Sequence, residues 1–143
     1  MIFIELIIEN GKLKTIRENV LLDKSFKFVI RIVKLYKYLC NDKKEFILSK
    51  QLLRCGTSIG ANINEAQDAQ SKNDFISKLS ISLKEAREAK YWIELLQETD
   101  YLTHKEADSL LSDLIEVIKL LVSIIKSVKE NQSNGKLQME NGK

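Results

Sequence analysis

No proline occurs anywhere in the 143 residues, and the glycines are placed so that they punctuate little. Gly11, Gly135 and Gly142 lie near the ends, and Gly56 and Gly60 fall inside one segment. A chain that lacks breakers over roughly 110 residues cannot turn often, so it must fold into a few long helices. With 44% hydrophobic residues, a chain of this length buries about two thirds of its unfolded surface as one domain, and no second catalytic domain fits.

Periodicity places four helices. The first, from about Asp23 to Cys40, has two apolar seams: Phe26, Val29, Val33, Tyr36 and Cys40, and, about 90° around the axis, Phe28, Ile32, Leu35 and Leu39. A polar connection from Asn41 to Glu45 leads to a second helix from Phe46 to Ala69, with Leu48, Leu52, Cys55, Ile59, Ile63 and Ala66 inward. The third opens at the capping box Ser71-Lys-Asn-Asp74 and runs to about Gln97 on Phe75, Leu79, Ser82, Ala86, Ala89, Ile93 and Leu96. The fourth opens at Thr103-His-Lys-Glu106 and runs to about Lys129 on Ala107, Leu110, Leu114, Val117, Leu121, Ile124 and Val128. Its second apolar line, Leu111, Ile115, Ile118, Val122 and Ile125, exceeds what one narrow core accepts.

Short connections make an all-α, antiparallel up-down-up-down four-helix bundle the expected fold over 23–129. The surplus apolar lines predict self-association. Residues 130–143, rich in Asn, Gln, Ser, Gly and Lys, read as a disordered tail. Residues 1–22 admit two readings: a hairpin on the Asn10-Gly11 turn, or residues added by an upstream in-frame start.

Charge is unevenly spread. Lys24, Lys27, Arg31, Lys34, Lys37, Lys43, Lys44, Lys50 and Arg54 face only Asp42 and Glu45 in the same stretch, a local balance of +7 in a chain of net +3. Lys24, Lys27, Arg31 and Lys34 share an arc of roughly 80°, with Lys37 at its margin and Lys50 and Arg54 one turn apart on the second helix. A solvated face explains such a cluster in part. Segregation by sign favours a polyanion, held through phosphates and shape rather than base identity.

Catalytic constellations are missing. His104 is the only histidine, so two-histidine metal sites, His-Cys zinc sites and Glu-x-x-His di-iron pairs are absent, and no cofactor or metal is expected. No arginine precedes it at the spacing of HEPN ribonucleases. Gly56-Thr-Ser-Ile-Gly60 lacks the lysine of a phosphate loop, and Ser49, Ser58 and Ser80 have no histidine base. Glu65 and Asp68 are one turn apart, but a structural role is expected: Asn62 and Glu65 bonding across helices or to a helix end. Gly56 and Gly60 cost about 1 kcal/mol each in a helix, which predicts close approach of a neighbour. Trp92 reads as a packing anchor, and Cys40 and Cys55 as reduced core thiols of a cytoplasmic protein. The apolar start carries Glu5 and no basic flank, so neither export nor membrane insertion is expected.

The stretch from Ser49 through Glu65, then Ala66 to Phe75 and Lys78 to Glu94, closely resembles the four-helix-bundle family of proteins encoded in intervening sequences of bacterial 23S rRNA genes. Ala61-Asn-Ile-x-Glu65 followed by Ser71-Lys-x-Asp-Phe75 is its most specific part, and the similarity runs from near Asn19 to Lys129. The resemblance implies a ring-shaped homopentamer. It also implies kinship with the accessory protein of diversity-generating retroelements, a basic barrel that engages RNA and a reverse transcriptase. The expected function is a non-enzymatic, oligomeric RNA-binding accessory protein contacting phosphates through Lys24, Lys27, Arg31, Lys34, Lys37, Lys50 and Arg54. The alternative is a protein-binding scaffold without nucleic acid.

Overall fold

The computed structural model describes residues 6–9 and 12–141, with side chains from 15 to 135. Two short strands, β1 (Leu6–Glu9) and β2 (Lys12–Thr15), precede four helices: α1 (Ile16–Asn41), α2 (Leu48–Ala66), α3 (Lys72–Glu98) and α4 (His104–Asn141). The strands pair antiparallel with Glu9 opposite Lys12 and Leu6 opposite Thr15, which is the hairpin register. The Asn10-Gly11 turn between them lies outside the described residues. The helices pack in a closed cycle, α1 on α2, α2 on α3, α3 on α4 and α4 on α1. This is the antiparallel four-helix bundle.

α1 begins seven residues before the Asp23 start that periodicity suggests. Thr15 caps it: the Glu18 amide donates to Thr15 Oγ1 at 3.1 Å and the Thr15 amide donates to Glu18 Oε2 at 3.4 Å, a reciprocal capping box. Of the two seams on α1, the one through Phe28, Ile32 and Leu39 is buried, together with Leu21 and Ser25. Phe26, on the other seam, is 67% exposed. Downstream, the Thr103–Glu106 box forms in both directions, whereas at α3 Asp74 N–H donates to Ser71 Oγ but the Asp74 carboxylate takes the Gln70 amide in place of that of Ser71. α3 ends in a Schellman turn: Tyr101 N–H reaches Leu96 O, Asp100 N–H reaches Gln97 O, and Asp100 takes the left-handed position at φ 68°.

The core is apolar and continuous. Leu52, Cys55, Ile59 and Ile63 from α2, Leu79, Ala86, Ala89, Ile93 and Leu96 from α3, and Ala107, Leu114, Val117 and Leu121 from α4 are each fully buried or nearly so. Each large side chain among them contributes about 1.5–3 kcal/mol. Small residues in the middle of α3 let α2 come close enough for Ser82 Oγ to donate to Ile59 O at 2.8 Å. α4 continues to Asn141, past the Lys129 end that composition suggests, and Gln132 Nε2 donates to Asn73 Oδ1 at 2.8 Å. Its second apolar line is split: Ile125 is buried, whereas Ile115 and Val122 are exposed.

Candidate nucleic-acid interface

The basic stripe of α1 does not stand open along its length. Lys24 Nζ meets Glu116 of α4 at 2.7 Å, Lys27 meets Asp23 one turn back at 3.0 Å, and Arg31 meets Asp113 of α4 at 2.6 Å. Arg31 also donates to the backbone oxygen and hydroxyl of Ser109 at 3.1 and 3.0 Å. On α2, Arg54 bridges Glu85 and Glu88 of α3. The Glu116 carboxylate raises Lys24 above the usual lysine range, and Glu88, then Glu85, do the same for Arg54. Contrary to a stripe of one sign, the face is thus neutralised in part by Asp23 on its own helix and otherwise by carboxylates of the helices beside it.

Lys34, Lys37 and Lys50 differ. Each is exposed, and among the described residues none forms an ion pair. Lys34 lines a groove of about 380 Å³ between α1 and the start of α4, with Leu35, Leu102 and Leu110 as its floor and Arg31, Lys105 and Glu106 on its rim. Lys43 and Lys44 extend the exposed cations into the α1–α2 loop. Lys43 lies near enough to Glu106 to help hold it below the usual glutamate range, behind the larger effect of the Thr103 amide and hydroxyl.

That loop is held by a buried carboxylate. Glu45 accepts the backbone N–H groups of Ile47, Leu48 and Ser49 at 3.0, 2.8 and 2.7 Å. Desolvation is the largest single influence on it and pushes it up, but these donors together hold it below the ordinary glutamate value. Lys44, at φ 55°, takes the left-handed turn. Phe46 and Ile47, read from sequence as the start of the second helix, precede it and are exposed.

The residues singled out for packing are placed as follows. A Cβ on Gly56 would sit 2.8 Å from Ile32 Cγ2, and one on Gly60 2.9 Å from Val29 Cγ2, so α1 crosses both glycines in close contact. Asn62 does not bond across helices; its amide donates to Ser58 O and Oγ on its own helix, because it lies beside the α2 backbone one turn back. Glu65 pairs with Lys78 of α3 at 3.2 Å, at the surface. Trp92 is half-buried against the core, with its ring edge-on to Tyr91 at 5.0 Å. His104 is exposed and pairs with Asp108 at 3.1 Å.

One group of potential metal ligands was not anticipated: Cys55, Glu85 and Glu88 bring ligand atoms within 4.8 Å of one another. Burial, then Glu88, pushes the Cys55 thiol up to about 12, and Arg54 already occupies both carboxylates. The trio is a structural ion-pair cluster over a protonated thiol. A separate groove of about 360 Å³ lies between α1 and α2, lined by Leu22, Phe26, Val29, Thr57, Gly60 and Ala61 among others. Exposed Phe26 and Ile30 flank it on α1.

Asp113, Glu116, Phe46 and Ile47 are the residues that periodicity overlooked. Asp113 and Glu116 lie far along the chain from their partners, and the exposure of Phe46 and Ile47 follows from a loop that only the structure shows to be tied down by Glu45.

Among the described residues no helix is long and apolar enough to cross a membrane. No curated protein matches the chain. A solved structure does: a protein with unknown function from the S23 ribosomal protein family of Bacteroides thetaiotaomicron VPI-5482. It is 58% identical, with a TM-score of 0.77, over 78% of this chain and 99% of that one. The 23S rRNA-intervening sequence protein family model matches residues 17–123, the span from the start of α1 well into α4, and the chain belongs to that family.

Proposed function

We propose that this protein is a non-enzymatic, self-associating accessory protein that binds structured RNA in the cytoplasm, through phosphates. The observation that carries the reading is the set of exposed lysines without ion pairs at one end of the bundle, Lys34, Lys37 and Lys50 with Lys43 and Lys44. Cations that are solvated and held in no ion pair give up little beyond condensed counterions on meeting a phosphate backbone, so binding is favourable and falls steeply with salt. Lys24, Lys27, Arg31 and Arg54 take a lesser part, since each must leave or share a carboxylate. The Phe26, Val29 and Ile30 face of α1 supports self-association, and the family resemblance favours a pentameric ring, in which weak contacts repeat and add. A reverse transcriptase is a partner by the same analogy.

The test is RNA affinity against salt, together with mass in solution. Affinity for structured RNA that is lost with a slope of several units in log salt, from a ring-sized species, supports the reading; a monomer indifferent to RNA and heparin overturns it. The second reading, a protein-binding scaffold, is favoured by the exposure of Phe26 beside the α1–α2 groove. It predicts a monomer that binds no polyanion.

A further inference from the structure

The α1–α2 loop carries a feature that phosphate binding alone does not use. Phe46 is 58% exposed and Ile47 74%, side by side. Hiding either would stabilise the fold, so their joint exposure calls for a reason. Nor is the loop loosely held. Besides the three amide bonds to the Glu45 carboxylate, Ser49 Oγ donates to Glu45 O at 2.8 Å and the Glu45 amide donates to Leu39 O at 2.9 Å. Phe46 and Ile47 therefore project from a stiff knuckle. Lys43 and Lys44 precede them, Lys50 follows within a turn of α2 and Lys37 lies near the end of α1; all four are exposed, with no ion pair among the described residues. Because Glu45 already takes the first amides of α2, an anion at this end meets lysine side chains and not a bare helix terminus.

We infer that the knuckle is a stacking site for an unpaired nucleobase: the Phe46 ring takes the base face, Ile47 packs beside it, and Lys43, Lys44 and Lys50 hold the flanking phosphates. The inference rests on the RNA-binding reading and adds which part of the RNA is held: a single-stranded loop, bulge or end, whose bases can splay out where those of a duplex cannot. A tip of two apolar side chains is far smaller than the roughly 800 Å² each partner commits to a stable protein interface. It is the right size for one or two bases, and an aromatic ring set among cations matches the alternation of base and phosphate along a strand.

The experiment compares a short labelled RNA strand of mixed sequence with the same strand annealed to its complement, at one salt concentration. Phe46→Ala should weaken single-strand binding about tenfold, leave duplex binding unchanged, and be rescued by Phe46→Trp. Since Phe46 is exposed, the variant should melt with the parent. Equal single-strand binding by Phe46→Ala and the parent, or equal losses on strand and duplex, overturns the stacking site while leaving RNA binding in place. If instead Phe46→Ala abolishes binding to phosphatidylserine vesicles and spares RNA, the knuckle is a lipid contact and the inference fails. A parent protein that binds neither strand nor duplex removes the RNA-binding reading itself.

Discussion

Along α1, Lys24 and Arg31 reach across to Glu116 and Asp113 on α4, whereas Lys37 and, past the helix end, Lys43 and Lys44 form no ion pair among the described residues. The two regions carry the same kind of side chain at similar density. They differ in what lies opposite. Beside the middle of α1 stands an α4 face that presents Ser109, Asp113 and Glu116, so cations there help to hold the bundle together. At the α1–α2 end the loop supplies its own buried carboxylate, spent entirely on backbone amides, and leaves the lysines to solvent. A charge pattern on one helix therefore measures potential, and the facing helix decides how much of it is available to a partner.

The contrast can be broken most forcefully at Glu45. Glu45→Ala should cost about 2–3 kcal/mol in chemical denaturation, because buried amides lose a charged acceptor. Asp113→Ala, whose ion pair is half exposed, should cost no more than about 1 kcal/mol. Equal costs would erase the distinction between the two regions.

Salt dependence sharpens it next. Replacing Lys34, Lys37 and Lys50 by Gln should reduce the RNA salt slope by about 2, at roughly 0.7 for each phosphate no longer neutralised, with affinity falling about tenfold or more. The matched triple Lys24→Gln, Lys27→Gln and Arg31→Gln should change the slope by less than half as much. Conversely, Asp113→Asn with Glu116→Gln should steepen it, by releasing Arg31 and Lys24.

Acid should tell the regions apart more gently. Glu45 is held below its ordinary value of 4.5 in the folded chain, so the stability it confers is complete above that value and is lost as pH falls through the folded one. Urea melts should therefore show a drop below about pH 4.5 that is smaller in Glu45→Gln. The smallest effects concern the two left-handed residues, Lys44 and Asp100. Glycine at either should raise stability by about 0.5–1 kcal/mol, but only Lys44→Gly should also weaken RNA binding.

Much of the bundle was legible because its core follows helical spacing: the inward residues of α2, α3 and α4 are those that periodicity selects. On α1 two seams competed, and sequence alone did not rank them. The close crossing at Gly56 and Gly60 takes one residue from each, Ile32 and Val29, and burial through the rest of the bundle favours the Phe28, Ile32 and Leu39 seam while Phe26 stays outside. The early start of α1 was encoded in Thr15 and Glu18 but masked by the strand-like run before it. Past Lys129 the Asn, Ser and Gly residues argue against a helix, yet α4 continues, with Gln132 bonded to Asn73 of α3. The site was legible only as a local count of charge, because the carboxylates that answer Lys24 and Arg31 lie 92 and 82 residues away in the chain.

Arg17 and Ser123, the residues at which the family match begins and ends, touch: the Arg17 guanidinium donates to the hydroxyls of Ser123 and Ser127. The shared core is thus a loop of chain whose two ends meet. A version joined between the start of α1 and α4 beyond Ile125 by a short linker, and opened between α2 and α3, should still assemble the bundle, so helix order is open to rearrangement where helix packing is not.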